Sequence, residues 1–469
     1  MADIRPAGST RHVADFISSL RYEVLPAHVV DVLKRLIMDG VANIVAGGAL
    51  APGRLQTELF TGFGGNPEAT VLATGRRLPL PHATYLNSTH ANLLDFDDTY
   101  KALLHPGATA IAPALAVGEY RRASGRAVMA AVAAAYEVAI RIAEGGAPTP
   151  ERNRQVWGLG TWQTLGAAAA SASLLGLDRT TTQHALGLAA FNAPVPSVRK
   201  LGHEPEARPL AWAKNNYGWA SMGGVLGTLS AARGFRGSTS VLDGPQGFWV
   251  QAGSDQNDED TIVDGLGSRF RFAETSLKPY AACRWNHSSL DCLRQLRAAR
   301  ELPAPDEIES ITIHGFRELV VNCAHPHPQD IIDAQFSLPH LLALEVLGRS
   351  SATGLREEDL ADPVVRDLAS RVHLVRDPAA DENYLAGSMS ARACVRSRNG
   401  TAVEATVLDP WGSPANPFSD EDLLAKTRAL LEPALGPQRA RILIDGIFHL
   451  EKFDDITDLL HPVWTPRTA

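Results

Sequence analysis

The densest chemistry in this chain lies in one run, His90-Ala91-Asn92-Leu93-Leu94-Asp95-Phe96-Asp97-Asp98-Thr99, continued by Lys101 and His105-Pro106-Gly107. Three carboxylates, a hydroxyl and two imidazoles at the end of an apolar stretch are costly to bury without partners or a use. Helix capping or a turn accounts for Asp97, Asp98 or Thr99 taken singly, but not for the whole cluster. A second concentration, Arg208 to Ala220, sets Lys214 among Trp212, Asn215, Asn216, Tyr217 and Trp219 in a chain where arginine outnumbers lysine. The plain alternative there is a surface lysine lying over aromatic packing. The third, Lys278-Pro-Tyr280-Ala-Ala-Cys283-Arg284-Trp285-Asn286-His287, puts an amine, a phenol, a thiol, a guanidinium and an imidazole in one short segment. Arginine pairs bidentately with a carboxylate, and His or Lys exchanges protons near neutral pH when burial tunes it. An ion-pair cluster between domains is the structural alternative.

Other motifs carry less. Gly158-Leu-Gly160 lacks the third glycine of a dinucleotide fingerprint, and no phosphate-binding Walker loop occurs. His325-Pro-His327 has no matching ligand set nearby, and Asp95-Phe-Asp97-Asp98 lacks the second segment of a magnesium-diphosphate site, so no metal is expected.

These segments need a scaffold, and 469 residues at 45% hydrophobic and 20% charged supply ample core for two or three folding units. The net charge of −8 argues against nucleic acid or an anionic membrane as partner and leaves a small molecule as the default. Cys283, Cys292, Cys323 and Cys394 are widely spaced without a Cys-x-x-Cys pair, which fits a reducing cytoplasm. Met1 to Phe16 has no apolar signal core, and the most apolar stretch, 127–142, is interrupted by Glu137 and Arg141, so no membrane entry is expected.

Helical periodicity follows Pro26 through Val29, Leu33, Leu36, Ile37, Val41 and Ile44 to Gly47-Gly48, and further helices are predicted over 108–122, 126–144, 164–177, 180–191 and 222–233. Their Ala and Gly faces suit helices packed closely on helices. Alternation appears only later, at 308–316, and 389–397 with 401–407 flank Asn399-Gly400, a hairpin signal. Helices return at 419–431 and 442–460. The expected architecture is mainly α: a large helical domain built from both chain ends (1–270 and 406–469) with an inserted α+β lid (271–405).

In order and spacing the segments resemble the MmgE/PrpD family of small-carboxylate dehydratases, decarboxylases and epimerases. The resemblance spans nearly the whole chain: Leu36-Ile-Met-Asp39-Gly40, Leu94 to Thr99 with His105-Pro106-Gly107, Thr164 to Ala170 before Leu174-Leu-Gly-Leu, Lys278 to Arg284 with His287, Asp333 to Pro339, and Asn416-Pro-Phe-Ser. It implies a homodimer working without metal or organic cofactor, with Asp95, Thr99, His105, Lys214 and Lys278 in the pocket. Three positions depart from the decarboxylase branch, where Trp157, Cys283 and His340 stand in place of two histidines and a tyrosine.

What the resemblance implies is a proton moved at carbon next to a carboxylate, most readily in a hydro-lyase, with decarboxylation, epimerisation or carboxylate binding without turnover as alternatives. His105, Lys278, Asp95 and Lys214 are the candidate catalytic residues. His105 is the expected proton carrier, oriented by Asp95, and Lys214, Lys278 and Arg284 supply positive charge. Thr99 is expected to bond substrate. Tyr217, His287 or Cys283 would protonate a leaving hydroxyl, and Trp157 and His340 are expected to line the pocket.

Overall fold

The computed structural model describes residues 8–101, 104–198, 207–349 and 354–464, with the side chains of Trp157, Ser197 and Val198 outside the description. The architecture is mainly α. Helix α1, Ala27–Gly47, follows an extended Pro26 and stops at Gly48. It is followed by α2 (Leu80–Leu93), α3 (Gly107–Arg121), α4 (Gly125–Gly145), α5 (Leu159–Leu175) and α6 (Tyr217–Ala231). Small residues set how closely these helices approach. A Cβ added to Gly47 of α1 would stand 2.0 Å from the His90 carbonyl of α2, and one on Gly224 of α6 would stand 2.7 Å from the Thr164 carbonyl of α5. Backbones in such contact leave no room for a side chain between the helices at these two points.

Past residue 280 the chain forms α7 (His287–Ala298) and a four-stranded sheet of β1 (Ile308–Gly315), β2 (Val372–Arg376), β3 (Ala391–Ser397) and β4 (Ala402–Val407), in the order β2-β1-β3-β4. Strand β1 runs parallel to β2 and antiparallel to β3, with Ile311 opposite both Val372 and Val395. Gly400 takes φ +89° in the β3–β4 turn, a conformation glycine adopts at no steric cost. Helix α8 (Asp420–Leu435) then opens on a reciprocal cap between Ser419 and Asp422.

Two apolar cores result. One joins residues from Val13 to Ala281 with Phe418 to Val463, so the end of the chain packs with its beginning; the other gathers Leu210 with Tyr280 to Val407. The chain crosses between them at Leu277 to Cys283, where Leu277 and Ala281 belong to the first core and Tyr280, Ala282 and Cys283 to the second.

Several elements differ from expectation. Helix α5 starts at Leu159 and α6 at Tyr217, each five residues early, because Gly158 and the left-handed Asn216 (φ 54°) provide the breaks. Strand β2 was not foreseen. The region expected as one helix near 442–460 divides into Pro437–Phe448, a turn at Leu450–Lys452, and Thr457–Trp464. Among the described residues no single helix is long and apolar enough to cross a membrane.

Candidate active site

Helix α2 ends at Leu93 with Leu94 as its C-cap, and Asp95 takes φ 48°, a left-handed conformation that Asp tolerates better than most residues. The chain therefore reverses sharply, and successive carboxylates of the run face different partners. Both oxygens of Asp95 are held by ammonium groups. Lys214 Nζ lies 2.9 Å from Oδ2, and Lys278 Nζ bonds Oδ1 and donates to the Asp95 carbonyl at 2.8 Å. All three side chains are buried, with Lys278 fully so. Burial alone would raise Asp95; Lys214, Lys278 and His105 outweigh it and hold the carboxyl well below the usual carboxylate range.

Lys214 also donates to Gln335 Oε1 at 3.0 Å and sits 4.7 Å over the Phe336 ring. Gln335 Nε2 in turn donates to the Leu93 carbonyl at 2.7 Å, so the sheet-bearing segment is tied to the end of α2. Asp97 accepts from Asn92 Nδ2 at 2.9 and 3.1 Å, and Asn92 Oδ1 accepts from Asn215 at 2.7 Å. Asp98 turns the other way, accepting from Gly107 N–H at 3.0 Å and from the Tyr136 hydroxyl at 2.8 Å. Burial, then Asp97, pushes Asp98 up to about 8, and burial, then Asp98, pushes Tyr136 well above the usual phenol range.

His105 corrects one expectation. Its Nδ1 lies 3.4 Å from Asp97 Oδ2, so Asp97 stands where Asp95 was expected, because the two lysines claim both Asp95 oxygens. The Tyr217 ring is 6.1 Å from the His105 ring, at the first turn of α6. Burial, then Asp97, raises the Tyr217 hydroxyl well above its ordinary value, and Gln163 faces it. Thr99 pairs its backbone with Ser276 through bonds of 2.9 and 2.7 Å, while its buried hydroxyl has no hydrogen-bond partner among the described residues. Ser276 and Arg284 line a cleft of about 270 Å³ with Lys101, Met389 and Pro410, which reaches this edge of the site.

The remaining candidates are placed differently. Arg284 donates to His287 Nδ1 at 3.0 Å and to the Trp411 carbonyl at 2.9 Å, and burial lowers its guanidinium to about 10. Because Nδ1 of His287 accepts, Nε2 carries the proton and meets the Ala282 carbonyl at 3.1 Å. Burial, then Arg284, drives His287 well below the ordinary imidazole range, so it is neutral and fully bonded. Cys283 bonds the Gln335 carbonyl through its backbone at 2.9 Å and lies beside the Cys323 thiol, which burial pushes up. His340 is not brought to the cluster. It is buried on Leu338–Val346, lowered by burial to about 4, and its charged neighbours are Asp359, Arg366 and His327. The side chain of Trp157 lies outside the described residues; its backbone pairs with Ser197.

Asp97, Asn92, Asn215 and Gln335 enter the site although no role in it was expected of them. The signal for Asp97 was present in the run itself. The other three are amides whose importance shows only once the partners from distant segments are in place. Asp95, Asp97 and His105 bring oxygen and nitrogen atoms within 4.8 Å of one another, a spacing suited to a metal ion. The donor set does not fit one, since a cation there would displace two ammonium groups already bonded to Asp95.

A mainly helical scaffold thus carries a lysine-aspartate-lysine cluster buried where its two apolar cores meet. The chain belongs to the MmgE/PrpD family: the model of the MmgE/PrpD N-terminal domain matches residues 11–260 and that of the C-terminal domain residues 280–450. Its curated relatives include the cis-aconitate decarboxylases of Aspergillus terreus (strain NIH 2624 / FGSC A1156), 24% identical over 98% of this chain and 97% of the relative, and of Mus musculus, 24% identical over 96% and 92%. The Homo sapiens cis-aconitate decarboxylase is similar at 24% identity over 98% of this chain and 96% of its own length.

Proposed function

We propose that the protein is a cofactor-independent lyase acting on a small unsaturated or hydroxylated carboxylate. One observation carries this reading. Beside the Lys214–Asp95–Lys278 cluster, the buried Thr99 hydroxyl has no hydrogen-bond partner among the described residues, and His105 Nδ1 has the 3.4 Å ion-pair contact with Asp97 but no hydrogen bond. Such orphaned polar groups next to anchored positive charge make a site for an anionic ligand that can exchange a proton.

In this reading a substrate carboxylate receives hydrogen bonds from Thr99 and from the lysine ammonium groups, which also stabilise the enediolate formed at the neighbouring carbon. Decarboxylation is the favoured reaction. The bond to the departing carboxylate breaks, its electron pair stays on the substrate, CO₂ leaves, and protonated His105 delivers one proton to carbon. That chemistry asks for a single proton donor and agrees with the activity named for the curated relatives. Dehydration is the second reading, and it needs an acid for the leaving hydroxyl while His105 takes the α-proton. Tyr217 across from His105 can donate a hydrogen bond there, although its raised proton affinity makes it a weak acid. A homodimer, which rests on the family resemblance, and a cytoplasmic location, which rests on the widely spaced unpaired cysteines, belong to the same proposal.

Proton NMR in D₂O with a panel of unsaturated and 2-hydroxy di- and tricarboxylates tests the reading. A product lacking one carboxylate and carrying deuterium on the substrate carbon that takes the proton in place of the departed CO₂ is the expected outcome, and a new alkene formed with loss of water selects the second reading. Substrates unchanged and unlabelled across the panel would overturn both.

A further inference from the structure

A third buried lysine lies behind the cluster and takes no part in the chemistry above. Lys426 projects from α8, and its ammonium donates to the Phe96 carbonyl at 2.6 Å and to the Lys278 carbonyl at 3.0 Å. It pairs with Asp39 Oδ1 of α1 at 2.5 Å and lies 3.9 Å over the Phe96 ring. Phe96 stands between Asp95 and Asp97, so one ammonium grips the backbone of both segments that carry the site. Asn43, one turn along α1 from Asp39, adds a bond to the same Phe96 carbonyl at 3.3 Å. Helix α8 is itself held in place by the Ser419–Asp422 cap and by Arg35, which donates to the Phe418 carbonyl at 2.5 Å and pairs with Asp420.

If Lys426 served only to neutralise Asp39, its two bonds to the carbonyls of Phe96 and Lys278 would be incidental. Burying an ammonium is costly, and burial does push Lys426 down and Asp39 up, each toward its neutral form. A lysine retained there against that cost, with its remaining donors spent on two site-bearing segments, points to a second role. Resting on the lyase reading, we propose that Lys426 is a positioning residue: through the Phe96 and Lys278 carbonyls it sets the seating of the Lys278 ammonium on Asp95. Its distance from the reacting groups makes the expected effect one on turnover more than on substrate affinity.

The test compares Lys426→Met, Lys426→Arg and the double variant Asp39→Asn/Lys426→Met by thermal melting, kcat and KM. Lys426→Met is expected to melt lower, because it strands Asp39. The double variant is expected to regain the melting temperature, yet to stay down about 100-fold in kcat with KM changed by no more than about threefold. Lys426→Arg, which keeps charge and donors, is expected to recover part of kcat. Recovery of kcat together with melting temperature in the double variant would overturn the proposal, leaving Lys426 as the partner of Asp39 alone. If the wild-type protein turns over nothing in the carboxylate panel, the lyase reading fails on its own. The positioning claim is then decided by a crystal structure of the double variant: Lys278 Nζ moved off Asp95 supports it, and Lys278 Nζ unmoved overturns it.

Discussion

Of the buried ion-pair systems among the described residues, Glu137–Arg141 and Lys214–Asp95–Lys278 are satisfied to different degrees. In α4, Arg141 bonds Glu137 at 2.7 Å and gives its other donors to the carbonyls of Ile262, Asp264 and Arg269, while Glu137 accepts from the Phe272 N–H at 2.9 Å. The main donors and acceptors of this pair are used, and the effect is to pin the 262–272 segment onto α4. The Lys214–Asp95–Lys278 cluster is as deeply buried, yet the Thr99 hydroxyl of the same run has no hydrogen-bond partner among the described residues, and His105 Nδ1 has only its 3.4 Å contact with Asp97. Burial and charge therefore do not by themselves distinguish a site from a staple. What separates these two systems is the unspent hydrogen-bonding capacity beside the second.

The comparison can be broken most directly at its two centres. Lys278→Met is expected to lower turnover by about 10³-fold, since it removes a charge held at the reacting groups. Arg141→Met is expected to cost about 3–5 kcal/mol of stability by stranding Glu137, with kcat of the folded fraction little changed. Urea unfolding alongside steady-state kinetics reads both. A large loss of turnover in Arg141→Met at full stability would erase the distinction between the two systems.

Asp98 sharpens the contrast through pH. The folded protein holds the Asp98 proton up to about 8, whereas an unperturbed Asp releases it near 3.8. Between those values the folded state binds more protons than the unfolded chain, so this group makes stability fall as pH rises and levels off above about 8. Asp98→Asn keeps a side-chain oxygen for the Gly107 N–H and is expected to flatten that slope and to melt higher than wild type at pH 8 to 9. Thermal melts across pH 5 to 9 check it, and an unchanged slope would contradict the assignment.

The smallest expected effect is at Thr99. Its hydroxyl makes no bond within the described residues, so Thr99→Val should leave melting unchanged and raise KM about tenfold, the value of one hydrogen bond to a charged group.

Much of this was legible in the sequence, for reasons that can be stated. The helical scaffold follows from apolar spacing and from Pro and Gly punctuation, as at Pro26 and Gly47-Gly48, and the β3–β4 hairpin follows from Asn399-Gly400. Asp95, Lys214 and Lys278 drew attention because charged groups inside apolar segments are costly without partners, and they do meet. What periodicity could not show was the direction each carboxylate takes. That is decided by the left-handed turn at Asp95, which gives Asp95 to the lysines and Asp97 to His105. His340 was misplaced for a related reason: its helix faces Asp359 and Arg366, a matter of tertiary packing that one sequence does not encode locally. Strand β2 pairs in parallel with β1 across a long connection, and such pairing leaves no local signature.

The central claim is that His105 moves the proton beside the lysine cluster, and solvent-deuterium incorporation by His105→Ala under saturating substrate tests it most directly. The account predicts incorporation into the α-carbon slowed by about 10²- to 10⁴-fold relative to wild type, with substrate binding and melting temperature retained. Incorporation at the wild-type rate in that variant would contradict it.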